Sequence, residues 1–195
     1  DLSIERLLSA YKNGIFPWYN SDDPILWWSP NPRLILIPNE LKISRSFSKT
    51  LKNREDIFTV NKDFKQVILN CGKNRSGSEE TWIDDAMTDS YLDLHRLGIA
   101  HSIEIWRSSE LIGGLYGLKI GNVFFGESMF SLKRDASKIA LFHLCSLAPK
   151  TQVKLIDCQV QSSHMLSLGA KLISRDLFIE YIKKLTVSED HHFFK

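Results

Sequence analysis

The stretch from Gly113 to Gln159 constrains the fold most, because polar side chains interrupt its apolar segments. It contains a glycine-rich apolar segment, GGLYGLKIGNVFFGESMFS, a helix-like segment, KRDASKIALFHLCSL, and a second apolar segment, VKLIDCQ. Glu127 interrupts the first apolar segment, and Asp157 and Gln159 interrupt the second. A buried carboxylate is costly unless it is paired or hydrogen-bonded. Two such strands facing each other predict a polar site inside an apolar cleft, with structural polar residues at strand ends as the alternative.

Strand geometry predicts how these residues lie. Side chains alternate along a strand, so Asp157 and Gln159 are expected on one face with their Cα atoms roughly 6.6 Å apart. Gly126 inside the first strand predicts a β-bulge. A bulge there would turn Phe124 and Glu127 to the same side.

Composition limits the class of protein. The chain has 195 residues, 43% of them hydrophobic, which suits one core with at most a small second domain. The net charge is only +2, so a nucleic-acid surface would have to be a local patch. The three cysteines lack metal-ligand spacing and suit the reducing cytoplasm. No apolar run approaches the roughly 18 residues of a membrane-spanning helix, so we expect a cytoplasmic protein without a membrane partner.

The first part of the chain combines tryptophans with prolines. The chain begins at Asp1 inside a helix-like start, so we expect a truncated N-terminus. The segment GIFPWYNSDDPILWWSPNPR follows, and its prolines prevent regular structure. Trp18 is the candidate for stacking on a ligand, whereas Trp27 and Trp28 are expected to cover the edge of the core. A first strand begins at Arg33, which predicts a domain boundary near residue 31 or 32.

A basic stripe is predicted next. Lys42, Arg45, Lys49 and Lys52 are separated by 3, 4 and 3 positions, which places them on one side of a helix. Such a stripe could bind phosphates. A solvated helix face is the alternative.

The order of elements predicts an α+β fold. A helix, an antiparallel three-stranded meander, a helix, a strand, a helix and a strand follow one another, which resembles the GNAT acyltransferase fold. GNAT enzymes bind the pyrophosphate of acetyl-CoA with a glycine-containing turn. Here the corresponding turn, from Arg134 to Ile139, lacks both glycines, which argues against CoA as the acyl donor.

Specific motifs carry a closer resemblance. AYKNGIFPWY, PILWWSPNPR, TWI, AHSIEIW, GGLYG, GESMFS, ASKIAL, LIDCQ and SLGA occur in order over about residues 1 to 178. In these motifs the chain resembles the bacterial leucyl/phenylalanyl-tRNA–protein transferases. The resemblance implies the remainder of a small N-terminal domain at residues 1–31 and a GNAT-like catalytic domain at residues 32–195.

The resemblance also implies a reaction. These enzymes move Leu or Phe, and less well Met, from aminoacyl-tRNA to the N-terminal Arg or Lys of a protein. The product carries a destabilising N-terminus for the bacterial N-degron pathway, which marks it for degradation. No metal or organic cofactor is implied, and we expect a monomer.

The motifs assign the site residues of the family to positions in this chain. The catalytic set is Asp157, Gln159 and Glu127. The aminoacyl-adenosine site comprises Trp18 and Trp82, and Leu115, Phe124, Glu127, Leu141 and Leu144 surround its side-chain pocket. The tRNA-binding positions are Arg45, Lys49 and Lys52.

The residues leave the mechanism open. Gln159 could contact the attacking amine with Asp157 orienting that contact, or Asp157 could be the base itself. Glu127 could instead hold the cation of the acceptor or the ribose of the adenosine. The other function classes are a non-enzymatic RNA-binding module, which leaves the three polar residues without a task, and a CoA-dependent acetyltransferase. His95, His101, His143 and His164 are expected to be structural or solvated.

Overall fold

The computed structural model describes residues 1–19, 23–52, 55–73, 84–188 and 191–193. In these residues the helices are α1 (Ile4–Lys12), α2 (Arg45–Thr50), α3 (Phe64–Gly72), α4 (Asp85–Arg96), α5 (Ala136–Thr151), α6 (Ser163–Ser167) and α7 (Arg175–Leu185). The strands are β1 (Phe16–Pro17), β2 (Trp27–Trp28), β3 (Arg33–Leu36), β4 (Asp56–Val60), β5 (Ala100–Arg107), β6 (Glu110–Ile120), β7 (Val123–Ser131), β8 (Leu155–Gln159) and β9 (Lys171–Ile173). A 3₁₀ helix covers Pro38–Glu40.

Seven of these strands form one mixed sheet in the order β4-β5-β6-β7-β8-β3-β9, and β1 pairs with β2 separately. Strands β5, β6 and β7 form the predicted antiparallel meander. Helix α5 then crosses over, and β8 runs parallel to β7. The α+β class and the GNAT-like order of elements are therefore confirmed.

Helices cover both faces of the sheet, because alternate strand residues enter two apolar clusters. Ile35, Phe125 and Leu155 pack in the cluster that also takes residues of α1, α3, α4 and α7. Their strand neighbours, such as Phe124 and Ile156, pack in the cluster formed with α2, α5 and α6. The sheet is thus a middle layer, buried on both sides along its central strands.

Both central strands that carry polar residues are irregular. On β7, Ser128 is opposite Tyr116 and Gly126 is opposite Gly117, so Glu127 is the additional residue of a bulge. The bulge predicted at Gly126 is confirmed. It does not put Phe124 and Glu127 into one layer, however, because Phe124 packs on the α5 side and the Glu127 carboxylate bonds to a residue of α4.

The predicted alternation also fails on β8. The register of β8 against β3 shifts between Leu34 and Ile35. Gln159 adopts a φ of 62°, which belongs to the left-handed region rather than to a strand. Asp157 and Gln159 therefore do not present their side chains as regular strand neighbours.

The basic stripe is only partly helical. Helix α2 runs from Arg45 to Thr50, so Lys42 and Lys52 lie outside it. Arg45, Lys49 and Lys52 are nevertheless all exposed. Among the described residues, no helix has the length and apolar character needed to cross a bilayer.

Candidate active site

A cavity opens where the parallel strands stop pairing. Pairing of β7 with β8 runs from Val123 and Leu155 to Phe125 and Asp157. Beyond it lies a cavity of about 260 Å³, far larger than the ~10–15 Å³ that holds one water. Its apolar lining includes Leu115, Phe124, Met129, Leu141, Leu144, Ile156 and Met165, and its polar lining includes Glu127, Ser128, Gln159 and Ser162. The predicted polar group inside an apolar cleft is confirmed.

Glu127 lies at the centre of the polar groups. Its Oε1 accepts a hydrogen bond from Gln159 Nε2 at 2.8 Å, and its Oε2 accepts one from the Tyr91 hydroxyl at 2.8 Å. The hydroxyl of Tyr91 is in turn bonded to that of Tyr11, and both tyrosines are fully buried. Helices α1 and α4 thus support the carboxylate from behind, a role that the apolar helix patterns did not indicate.

The Glu127 carboxyl group titrates near neutral pH. Burial raises its pKa from 4.5 to about 7; the hydroxyls of Tyr11 and Tyr91 and the Gln159 amide oppose the rise, and Asp157 adds to it. Burial and the charge of Glu127 raise the pKa values of Tyr11 and Tyr91 well above 10, so their hydroxyls remain donors. Glu127 can therefore exchange a proton at physiological pH, which suits a general base.

Asp157 forms an ion pair with Arg33. Arg33 Nε donates to Asp157 Oδ1 at 2.8 Å and Arg33 Nη2 donates to Oδ2 at 2.6 Å. The side chains of both residues are at most 1% exposed. The main-chain N–H of Gln159 also donates to Oδ1, at 2.9 Å. The carboxylate of Asp157 is thus directed at protein groups.

A second hollow adjoins the cavity. It has a volume of about 190 Å³ and is lined by Phe16, Pro17, Trp18 and Val160, together with Glu127, Ser128 and Gln159. Trp18 is 42% exposed. The indole Nε1 of Trp28 donates a hydrogen bond to the main-chain carbonyl of Trp18 at 2.6 Å and so fixes the main chain at Trp18. Glu127 and Gln159 therefore border both spaces.

The structure brings most of the predicted site residues together. Leu115, Phe124, Leu141, Leu144, Glu127, Asp157 and Gln159 all border the first cavity, and Trp18 borders the second hollow. Trp82 lies outside the described residues. The predicted tRNA-binding residues Arg45, Lys49 and Lys52 border neither space. Their helix α2 is linked to the N-terminal end of α5 by a 3.5 Å bond from Thr50 Oγ1 to Asp135 Oδ2.

Other chemistries find little support in the described residues. No cluster there of three or more His, Cys, Asp or Glu side chains could hold a metal ion. Burial raises the pKa of Cys145 to about 12 and that of Cys158 well above its usual value, so neither thiol is an activated nucleophile. His95 and His101 bond to main-chain carbonyls and His143 stacks on Phe58, as expected of structural histidines.

Comparison with known families identifies the protein class. A family model described as leucyl/phenylalanyl-tRNA protein transferase matches residues 35–183, and the model of that family's N-terminal domain matches residues 1–31. The chain belongs to the leucyl/phenylalanyl-tRNA–protein transferase family. This transferase is therefore an enzyme that transfers aminoacyl groups from tRNA to proteins.

Individual relatives agree over most of the chain. A leucyl/phenylalanyl-tRNA–protein transferase of Shewanella piezotolerans is 54% identical over 185 residues, covering 95% of this chain and 78% of the relative. One of Chromobacterium violaceum is 50% identical over 184 residues, covering 94% of this chain and 79% of the relative. The resemblance carried by the motifs is confirmed.

Solved structures resemble the chain only distantly. A GCN5-related N-acetyltransferase from Kribbella flavida aligns with a TM-score of 0.44 at 10% identity, over 86% of this chain and 59% of that chain. A similarity of this size carries no argument about the activity of the transferase. The division into domains at residue 31 or 32 stays a prediction.

Proposed function

We propose that this transferase moves Leu or Phe, and less well Met, from aminoacyl-tRNA to the N-terminal Arg or Lys of acceptor proteins. The observation that carries the proposal is the cavity between β7 and β8, which is apolar along its walls and ends at the Glu127–Gln159 pair. An apolar wall suits the side chain of Leu, Phe or Met. The polar end then lies where the ester of the aminoacyl-tRNA meets the acceptor amine.

The chemistry needs one proton acceptor and correct positioning. The ester is already activated, and an α-amine has a pKa of about 7.7–8.0, so part of it is neutral near pH 7. We assign the proton acceptor to Glu127, because its pKa of about 7 is close to that of the amine and its carboxylate borders both spaces. Asp157 is a weaker candidate, since both of its oxygens already accept hydrogen bonds from Arg33.

In the transfer step one bond forms and one bond breaks. The amine nitrogen forms a bond to the ester carbonyl carbon and passes one proton to Glu127. The bond from that carbon to the ribose oxygen of the tRNA then breaks, and the oxygen takes the proton held by Glu127 as it leaves, which restores the carboxylate. Gln159 donates a hydrogen bond from Nε2 to Glu127. The Oε1 of Gln159 can then accept a hydrogen bond from the attacking amine.

Acceptor selection is proposed to rest on charge. Among the residues bordering the second hollow, Glu127 carries the negative charge. It would attract an acceptor whose first residue is Arg or Lys. Trp18 offers that cation, or the adenine of the donor, an exposed aromatic face beside the carboxylate.

Binding of the tRNA is proposed to rest on a separate surface. Arg45, Lys49 and Lys52 are exposed at and after α2 and would contact phosphates. A protein that receives Leu or Phe at its N-terminus would be marked for degradation by the N-degron pathway.

Transfer can be tested with labelled Phe-tRNA and two peptides that differ only in starting with Arg or Ala. We expect label to move to the Arg peptide in preference to the Ala peptide. Equal labelling would contradict the proposed acceptor, and binding of tRNA without transfer would contradict the proposed reaction.

A parallel reaction with labelled acetyl-CoA tests the other acyl donor. In the first turn of α5, the Ser137 N–H that could bind a pyrophosphate instead donates to Ser131 Oγ at 2.7 Å. We therefore expect no acetyl transfer.

A further inference from the structure

Arg33 is held in one position by four groups around its guanidinium. Besides the two bonds to Asp157, Arg33 Nη1 donates to the carbonyl of Gly14 at 3.0 Å. The guanidinium carbon lies 4.8 Å from the ring centre of Phe16 and 4.5 Å from that of Phe178. The side chain is 1% exposed. An arginine at this depth is unusual unless its charge is paired, and here β3 directs it at a single carboxylate.

That carboxylate in turn holds the main chain of Gln159. Oδ1 of Asp157 accepts from the Gln159 N–H at 2.9 Å, and Gln159 has a φ of 62°. A left-handed conformation costs free energy for a residue with a side chain and persists only when its surroundings enforce it. The enforced conformation brings Gln159 Nε2 to within 2.8 Å of Glu127 Oε1.

We propose that Arg33 is a positioning residue for aminoacyl transfer, acting through Asp157 on the main chain of Gln159 and hence on the Gln159–Glu127 pair. The inference rests on the proposed function, because it assigns the chemistry to that pair. It gives Asp157 the task of orienting Gln159. Arg33 itself lies behind Asp157, so its effect on the reaction passes through two other residues.

The alternative is a pair that only stabilises the fold. A buried ion pair is weak support for stability, because its desolvation offsets much of its attraction. A second pair with the same two-bond fork offers a contrast: Arg107 binds Asp56 at 2.7 and 3.0 Å between strands β5 and β4, with the Arg107 side chain 34% exposed. That pair joins the outer strands of the sheet and lies outside the residues bordering the cavity.

The first experiment compares Arg33→Lys with the matched control Arg107→Lys. Both variants keep the charge and lose the two-bond fork. Single-turnover transfer from Phe-tRNA to an Arg-starting peptide is measured, together with the KM for Phe-tRNA and the melting temperature. For Arg33→Lys we expect kcat to fall about 100-fold, the size of a small displacement of reacting groups, with the donor KM little changed. Arg107→Lys should keep the wild-type kcat.

The second experiment asks whether the effect passes through Gln159. In a Gln159→Ala background, Arg33→Lys should lower kcat no further, because the group that Arg33 positions is absent. Its effect on the melting temperature should persist in that background. A purely structural role would leave the kcat of folded Arg33→Lys at the wild-type value, and an independent role would lower kcat by the same factor in both backgrounds; either result would overturn the inference.

If Arg33→Lys does not fold, Asp157→Asn replaces it in both backgrounds, because Asn has nearly the same shape as Asp and weakens the same contacts. An unchanged kcat for folded Asp157→Asn, or the same loss of kcat in both backgrounds, would again overturn the inference. Failure of the proposed function itself would be seen separately, as absence of transfer by the wild-type enzyme.

Discussion

The side-chain amide of Gln159 donates to Glu127 Oε1 at 2.8 Å, joining β8 to β7 where their pairing has ended. The bond places an amide and a carboxylate at the border of two adjoining spaces. In the proposed reaction the donor ester reaches the pair from the larger cavity, and the acceptor amine reaches it from the hollow beside Trp18. The proposal thus places the reacting groups where the two substrates meet.

Glu127→Gln should weaken both the rate and the choice of acceptor. The variant keeps the shape of the side chain but removes the negative charge and the proton acceptor, and a general base typically accounts for about 10²–10⁴-fold in rate. We expect the ratio of kcat/KM for Arg-starting over Ala-starting peptides to fall toward one. Steady-state transfer to both peptides measures it, and an unchanged ratio would show that the cation is recognised elsewhere.

The same substitution should change how stability depends on pH. The folded pKa of Glu127, about 7, lies above its value of 4.5 in an unfolded chain, so folding favours the protonated form. Below pH 4.5 both states are protonated and there is no penalty. As the pH rises to about 7, the free energy of unfolding falls by an amount on the order of 1–3 kcal/mol.

Urea unfolding at pH 5 and pH 8 measures this effect. We expect the wild type to lose more stability between these two values than Glu127→Gln does. The same loss in both proteins would mean that Glu127 does not titrate in this range.

Local patterns predicted much of the framework. Gly126 within an apolar strand predicted the bulge, and the order of elements predicted the antiparallel meander of β5, β6 and β7. Both features join residues that are close in the chain. The reaction was predicted by motif resemblance, since no pattern of charge or spacing names a tRNA ester.

The supporting groups could not be predicted, because they are distant in the chain. Arg33 is 124 positions from Asp157, and Tyr91 is 36 from Glu127. Arg33 resembled an ordinary first residue of a strand, and Tyr91 resembled an ordinary core residue of an amphipathic helix. The left-handed conformation of Gln159 was hidden for a related reason: its main-chain N–H bonds to Asp157, which is paired with the distant Arg33.

The donor cavity should control side-chain preference through its volume. Leu141 lies on α5, is 2% exposed and borders the cavity. Leu141→Phe would narrow the cavity, so we expect kcat/KM for Phe-tRNA to fall more than that for Leu-tRNA, by roughly the 10–200-fold that one misfitted group can cause. Leu147→Phe, on the same helix but outside the residues that border the cavity, should leave the ratio unchanged. If both variants change the ratio of kcat/KM for Phe-tRNA and Leu-tRNA equally, the donor side chain does not bind in this cavity.

The basic surface should govern tRNA binding rather than chemistry. Arg45→Ala with Lys49→Ala removes two exposed cations from α2. The slope of log K against log salt should flatten by about 0.7–0.9 for each phosphate that the variant no longer binds. The control, Lys12→Ala with Lys183→Ala, removes two exposed cations from α1 and α7 on the other side of the sheet. Equal slopes in the two double variants would show that α2 is a solvated face.

The most direct test of the account is single-turnover transfer from Phe-tRNA by Asp157→Asn, Gln159→Ala and the double variant. If Asp157 acts by orienting Gln159, each single variant should lower kcat with little change in donor KM. Residues that act as a unit are not additive, so the double variant should be about as slow as the slower single. Strict additivity of the two losses would contradict the account, as would a normal rate in Asp157→Asn.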